Sequence, residues 1–275
     1  EFVAVAHSIP DACGLALSTP QGTVVHSGDF KIDERPLDGR RTDLERFGSL
    51  GRSGVRLLLS DSTNAERPGS SLSESEVGPA LRRAMEGAAG QVVVACFSSH
   101  LGRIQQVADA ARLRGRRLVA LGRSMEEGVR IGVALGHLRL PPGQLASPEE
   151  ARALPPRERC VLVTGTQGEP RSALARLAAG AHPDLRLGPE DRVLLSSRFI
   201  PGNEAAIGRT LDRLVARGVE VWWEEFRALP ASGHAQEEEQ RALIRATRPE
   251  HFLPVHGELR HMARHAAHAA AEGVG

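Results

Sequence analysis

From about Ser73 onward, each short β-branched or apolar run in this chain is followed by a helical stretch. That alternation narrows the fold more than any other feature. Gln91–Cys96, Arg117–Leu121, Cys160–Thr164, Arg192–Ser196 and Val219–Trp223 read as strands, apolar runs of strand length bounded by turn residues. Ser73 with Glu76 makes a capping-box signature that opens the first of the intervening helices. Ile207, Leu211, Leu214 and Val215 fall at offsets of 4, 7 and 8, one apolar helical face. Strand and helix in repeated alternation imply a parallel sheet with helices on its faces.

The start of the chain is organised differently. Phe2–Ala6, Gly14–Ser18 and Thr23–His26 are joined by short turns, with Thr19-Pro20-Gln21-Gly22 a hairpin signal, so antiparallel pairing is expected there. Val55–Ser60 and Phe252–Val255 are the remaining strands of the two ends. Breaks are expected at the polar stretch Thr63–Ser73 and the loop Ile200–Asn203. The chain therefore reads as one α/β unit over 74–200 inserted into a second α/β unit made of residues 1–73 and 201–275.

Composition excludes several classes. With 41% hydrophobic and 25% charged residues the chain is not disordered. No apolar run approaches the roughly 18 residues of a membrane span, and the opening Glu1-Phe2-Val3-Ala4-Val5-Ala6 is too short for a signal-peptide core. Cys13, Cys96 and Cys160 have no close spacing, which argues against a disulfide framework and for a reduced, cytoplasmic protein. Lys+Arg 35 against Asp+Glu 34 leaves +1, so any nucleic-acid surface has to be local.

The chemistry lies at strand ends. His7 closes the first strand, Asp29 follows the hairpin in His26-Ser27-Gly28-Asp29, and Asp61 follows Leu57-Leu58-Leu59-Ser60. His234 lies in Ser232-Gly233-His234-Ala235 and His256 in Pro254-Val255-His256-Gly257. Strand ends are where α/β folds place reactive groups, because the scaffold is rigid and the loop beyond is free to form a pocket. Imidazole and carboxylate are also the ligands of a hydrolytic divalent metal. Any one of these residues alone would be read as a polar strand cap; five in the same setting point to a shared site.

Seven segments together resemble ribonuclease J. They are His7-Ser8-Ile9-Pro10-Asp11, Ser27-Gly28-Asp29-Phe30-Lys31, Ser60-Asp61-Ser62-Thr63-Asn64, Thr164-Gly165-Thr166-Gln167-Gly168-Glu169-Pro170, Ile200-Pro201-Gly202-Asn203-Glu204, Ser232-Gly233-His234-Ala235 and Pro254-Val255-His256-Gly257-Glu258. They run through the whole chain in the family's order, and 22 residues separate both His7 from Asp29 and His234 from His256. The resemblance implies a partial metallo-β-lactamase αββα sandwich (1–73 and 201–275) with an inserted β-CASP parallel-sheet domain (74–200). It further implies metal ligation by His7, Asp29 and His256, with Asp29 bridging two zinc ions per subunit; another divalent metal is the alternative. His234 and Asp61 would form the catalytic pair, Asp61 orienting His234, and Pro230, Ala231, Ser232, Gly233 and His234 the segment that holds the RNA phosphate. A cytoplasmic homo-oligomer, dimer or tetramer, that cuts RNA from a 5′ end and also internally is the expected whole. A non-catalytic RNA-binding scaffold and a DNA-directed β-CASP nuclease are the alternatives.

Three departures from the family pattern stand out. The main zinc motif H-x-H-x-D-H is absent from these residues, Pro230 stands where the family usually has histidine, and Gly102 does the same in Phe97-Ser98-Ser99-His100-Leu101-Gly102-Arg103. The expectation is therefore an internal fragment that does not cleave RNA alone and binds at most one zinc, weakly. The loop Gly165-Thr166-Gln167-Gly168 has the form of a phosphate cradle, evenly balanced against an ordinary turn until the resemblance favours the cradle. His261, His265 and His268 share a helical face expected to be solvated, Cys96 is expected in a core, and Trp222 and Trp223 are expected to pack a strand.

Overall fold

The computed structural model of the protein describes residues 1–200, 202–223 and 231–275. It divides into two compact units, residues 1–74 with 232–275 and residues 75–231.

The second unit carries a six-stranded sheet of parallel pairs. Its strands are β5 (Val92–Ala95), β6 (Arg117–Leu121), β7 (Leu145–Ala146), β8 (Arg159–Val163), β9 (Arg192–Leu195) and β10 (Glu220–Trp222), in the order β10-β9-β5-β8-β6-β7. Successive side chains of a strand point to opposite faces, and here both faces are buried. Val92, Val94, Leu118, Cys160, Leu162 and Leu194 enter one core with α2 (Val77–Ala84), α3 (Leu101–Leu113) and α4 (Arg123–Ala134). Val93, Val119, Val161, Val163 and Leu195 enter the other with α5 (Pro148–Ala153), α6 (Ala173–Ala178) and α7 (Glu204–Val215). Each fully buried aliphatic side chain contributes about 1.5–3 kcal/mol relative to exposure. Cys96 is buried, and burial pushes its thiol up to about 12. Trp222 and Trp223 pack against the two cores, Trp222 with the Arg192 guanidinium over its ring.

The return to the first unit comes later than the sequence suggests. It falls at Ser232, not at residue 201. The break expected at Ile200–Asn203 falls inside the second unit: Ile207 and Leu214 of α7 bury into that unit's core and β10 extends its sheet beside β9. The helix that Ser73 and Glu76 are expected to open begins as a single 3-10 turn, Glu74–Glu76, ahead of α2, and the Ser73 hydroxyl donates to the Arg35 carbonyl. The two-residue β7 has no counterpart in the expectations.

The first unit holds a mixed five-stranded sheet, β1 (Phe2–Ala4), β2 (Cys13–Thr19), β3 (Gly22–His26), β4 (Val55–Asp61) and β11 (His251–Val255), in the order β1-β2-β3-β4-β11. The first three pair antiparallel; β4 joins β3 and β11 in parallel. The crossover to β4 runs through α1 (Leu44–Ser53), whose N-terminus is capped by Asp43 accepting from the Arg46 amide. Val25, Leu58, Phe47, Leu50, Leu243 and Ile244 share one core, built by the sheet, α1 and α8 (Glu237–Thr247). Gly51 permits close approach of α1 and α8, since a Cβ there would collide with the Ala246 carbonyl. The opposite face of this sheet is left open: Leu15, Val24, Leu57 and Leu59 are half-buried and Leu17 and Leu253 exposed.

The C-terminal helix α9 (Leu259–Ala271) follows β11. Contrary to the solvated face expected of them, its His261, His265 and His268 are all buried. Among the described residues no helix is long and apolar enough to cross a membrane.

Candidate functional site

Three short connections bring the strand-end residues together. After β3, Gly28 takes φ +64, and a Cβ there would press on the Cys13 carbonyl, so this turn toward Asp29 needs glycine. The neighbouring Ser27 is buried and its hydroxyl oxygen accepts from the Asp61 amide (3.0 Å), tying the Asp29 loop to the end of β4. After β11, His256 sits in the left-handed region at φ 54, a strained position for a residue with a side chain.

The first cluster centres on Asp61. Its Oδ2 accepts from His234 Nδ1 at 2.6 Å; its Oδ1 accepts from the Thr63 amide (3.0 Å), Thr63 Oγ1 (2.6 Å) and His256 Nδ1 (3.2 Å). Burial alone would push the Asp61 carboxyl up, but the hydrogen bonds from His234 and His256 prevail and hold it far below the ordinary carboxylate range. Asp61 is thus a buried, ionised acceptor. His234 gives it Nδ1–H, which leaves Nε2 for another partner. The His234 ring is stacked with His256 (5.3 Å between centroids) and edge-on to His7 (4.9 Å).

The second cluster centres on Asp29, which behaves differently. Among the described residues no hydrogen bond reaches its carboxylate. Its Oδ2 faces His7 Nε2 at 3.8 Å and its Oδ1 faces His256 Nδ1 at 3.9 Å. Both separations exceed a hydrogen bond, yet suit two ligands that each lie about 2.0–2.2 Å from a shared cation. His7 is prepared for such a role. Its Nδ1 donates to the Gly233 carbonyl (2.8 Å), which fixes the tautomer and leaves Nε2 as an acceptor, 3.3 Å from the Ser8 hydroxyl and facing Asp29. Burial holds the His7 imidazole below its ordinary pKa, so the ring is neutral and able to ligate.

One ligand atom each from Asp29, Asp61, His234 and His256 lies within 4.8 Å of the others, a set that omits His7. Proximity does not by itself separate the two carboxylates. Hydrogen bonding does: every Asp61 oxygen is engaged, whereas Asp29 offers two open ones. The donor set around Asp29 therefore fits a divalent cation and that around Asp61 fits orientation of His234. His256 stands between them. The Asp61 hydrogen bond raises its pKa despite burial, so ligation through Nδ1 requires loss of a proton that a cation displaces.

The expected phosphate-holding segment is only partly open. The Ser232 hydroxyl oxygen accepts from Asn64 Nδ2 (2.9 Å) and the His234 amide (3.1 Å). Gly233 packs so closely that a Cβ would lie 2.8 Å from Ser8 Oγ and 2.9 Å from His7 Nδ1. The Ala231 side chain is buried in the second unit's core and Pro230 lies outside the described residues. The Gly165–Gly168 turn is closed on itself: the Glu169 carboxylate takes the Gln167 amide (3.0 Å) and the Gly165 carbonyl takes that of Gly168 (3.2 Å). His100, in the segment where Gly102 replaces histidine, accepts from the Arg103 amide as the N-cap of α3.

Two participants were missed from sequence. Thr63 links Asp61 to His256, its Oγ1 accepting from His256 Nδ1 (2.8 Å), and Asn64 donates to both Ser232 Oγ and the His234 carbonyl. The available signal was Asp61 itself, since an aspartate at a strand end accepts from the backbone two residues on, here the Thr63 amide.

Comparison with known proteins places the chain in context. The family model described as ribonuclease J, β-CASP domain, matches residues 89–214, and the Zn-dependent metallo-hydrolase RNA specificity domain matches residues 225–275. Ribonuclease J of Mycolicibacterium smegmatis is 45% identical over 274 residues, covering 100% of this chain and 49% of that protein. Ribonuclease J of Helicobacter pylori is 41% identical, covering 100% and 40%, and that of Thermus thermophilus 45% identical, covering 94% and 45%. The chain spans about half the length of the curated relatives it matches. A solved Enterococcus faecalis V583 protein titled as of unknown function has the same fold, with TM-score 0.62 and 14% identity over 94% of this chain and 58% of that one.

Proposed function

The chain belongs to the ribonuclease J family, with a metallo-β-lactamase fold and a β-CASP insertion, and from that premise we propose that it forms part of a zinc-dependent ribonuclease. The observation that carries the reading is Asp29, a carboxylate with one imidazole opposite each oxygen and no hydrogen bond of its own among the described residues. His7, Asp29 and His256 would hold the metal, with Asp29 shared between two ions. When bound, the metal supplies a nucleophilic water of lowered pKa and neutralises charge on the phosphate.

The residues of the chain account for the rest of the hydrolysis. Ionised Asp61 keeps the proton of His234 on Nδ1 and turns Nε2 outward. Protonated there, His234 Nε2 gives its proton to the departing 3′ oxygen as the P–O3′ bond breaks and a water oxygen bonds to phosphorus, which leaves a 5′ phosphate and a 3′ hydroxyl. Thr63 and Asn64 fix the two loops on which this pair depends. Cleavage from the 5′ end and within the RNA, two zinc ions per subunit, a cytoplasmic setting and assembly as a dimer or tetramer complete the reading.

The test uses the full-length protein, with metal analysis beside cleavage of 5′-labelled RNA and matched DNA. RNA cleavage with bound zinc is expected. His234→Ala should keep the metal and lower turnover by about 10²–10⁴-fold, the scale of acid–base contributions. RNA bound but uncut by metal-free protein would replace the nuclease with a scaffold, and preference for DNA would replace the substrate.

A further inference from the structure

The histidine face of α9 lies outside the proposed centre, yet each of its members meets the segment that follows Asp61. His265 Nδ1 lies 3.1 Å from Ser62 Oγ, and His268 Nε2 donates to the Ala65 carbonyl at 2.9 Å. His261 Nε2 lies 3.5 Å from the Glu66 carboxylate. Offsets of 4 and 7 put the three rings on one side of the helix, facing the turn formed by residues 62–66.

That segment touches every part of the site. The Ser62 amide donates to the Val255 and His256 carbonyls (2.9 and 3.1 Å), fixing the end of β11. Thr63 bonds Asp61 and His256, and Asn64 bonds Ser232 and the His234 carbonyl. Moving residues 62–65 therefore moves the acceptor, its histidine and one metal-facing imidazole together.

Buried imidazoles need an explanation, since leucine would fill the same space without desolvating a polar ring. His265 is 0% exposed and His268 1%. Arg241, held by Glu237 and Glu272, donates to His268 Nδ1 at 3.0 Å, which leaves Nε2–H as the donor to Ala65. Burial pushes the His265 imidazole down to about 3, so the ring stays neutral. It packs edge-on against Phe252 at 4.8 Å, and its Nε2 has no hydrogen-bond partner among the described residues. Its one directional contact is Ser62.

We infer that this histidine row is a clamp on residues 62–66, with His265 and His268 as positioning residues that hold Asp61 in register with His234. The inference rests on the proposed roles of Asp61 and His234 for its functional meaning, but not for its test. In this chain the Nδ1–H of His234 bonded to Asp61 should give a downfield proton resonance, and the Thr63 and Ala65 amides should exchange slowly. His268→Leu should broaden or remove that resonance and lower protection of the two amides by about tenfold or more, while the Val93 and Leu162 amides stay unchanged. His268→Gln, whose amide nitrogen can replace Nε2–H, should restore both. If His268→Leu does not fold, Ser62→Ala removes the His265 contact with one atom and should weaken the same signals. A leucine variant identical to wild type, or a glutamine variant as impaired as the leucine one, would overturn the clamp. In the full-length protein the same leucine variant should lower kcat about tenfold with KM unchanged. A lost resonance with undiminished cleavage would keep the clamp and remove His234 from the reaction.

Discussion

In the second unit Val92 and Val94 enter one apolar core while Val93 enters another, whereas in the first unit Leu58 is buried and its neighbours Leu57 and Leu59 are only half covered. Within these residues, which span about half the length of the relatives, one sheet is enclosed on both faces and the other on one. The enclosed sheet has apolar strands and helices that contribute Ala, Leu and Val, so its stability comes from packing. The half-open sheet ends in Asp61 and His256, and the helices behind it bury Glu239, Gln240, His265 and His268. Glu239 accepts from the Ile32 and Ser71 amides and Gln240 donates to the Asp61 carbonyl, so these buried polar groups fix the loops that carry the site. The division of labour that follows is testable: substitutions in the second unit should change folding, and those at the first unit's strand ends should change chemistry.

The largest effect is expected at Asp29. In the full-length protein Asp29→Ala should strip metal and abolish RNA cleavage, yet leave the metal-free chain's thermal midpoint nearly unchanged, because no hydrogen bond of a described residue is lost. Metal analysis with calorimetry checks both halves. Leu162→Ala should do the reverse. It opens a cavity in a core packed on both sides and should cost about 2–5 kcal/mol in denaturant unfolding, with metal content per folded molecule unchanged.

A smaller effect is expected with acid. His265 is neutral in the folded protein, its pKa pushed down from 6.5 to about 3 by burial first and His268 second, against the pull of Asp61. The unfolded chain takes up that proton near pH 6.5, so it binds more protons than the native state through the window between. Stability contributed by this group is therefore complete above about pH 6.5 and lost as pH falls toward about 3. Unfolding free energy measured against pH should show this slope, and His265→Leu should flatten it by about one proton. The smallest effect is expected at Leu253, 47% exposed on the open face. Leu253→Ser should change stability by no more than about 0.5 kcal/mol while lowering the binding of an apolar dye to this chain.

Much of this was legible in the residues. Each expected strand has a counterpart, because runs such as Gln91–Cys96 and Cys160–Thr164 are apolar, of strand length and rich in β-branched residues. β7 was not legible, since two residues with an exposed Leu145 carry no period. The return at Ser232 was misplaced because a Pro-Gly loop looks the same inside a unit as between two. The strand-end aspartates and histidines were visible as a set, but spacing could not separate Asp29 from Asp61; the difference lies in which oxygens are already hydrogen-bonded. The α9 histidines were misread for a related reason. Helical spacing shows that they share a face and not what covers it, and their partners Ser62 and Ala65 lie 203 residues away in sequence.

The proposed metal centre turns on Asp29 as a carboxylate shared between two cations. Anomalous scattering at the zinc edge, from crystals of the full-length protein grown with zinc, addresses that directly. Two peaks are predicted, each about 2.0–2.2 Å from a different Asp29 oxygen, one also ligated by His7 and the other by His256. Peaks on Asp61 and His234 with none at Asp29 would contradict the account.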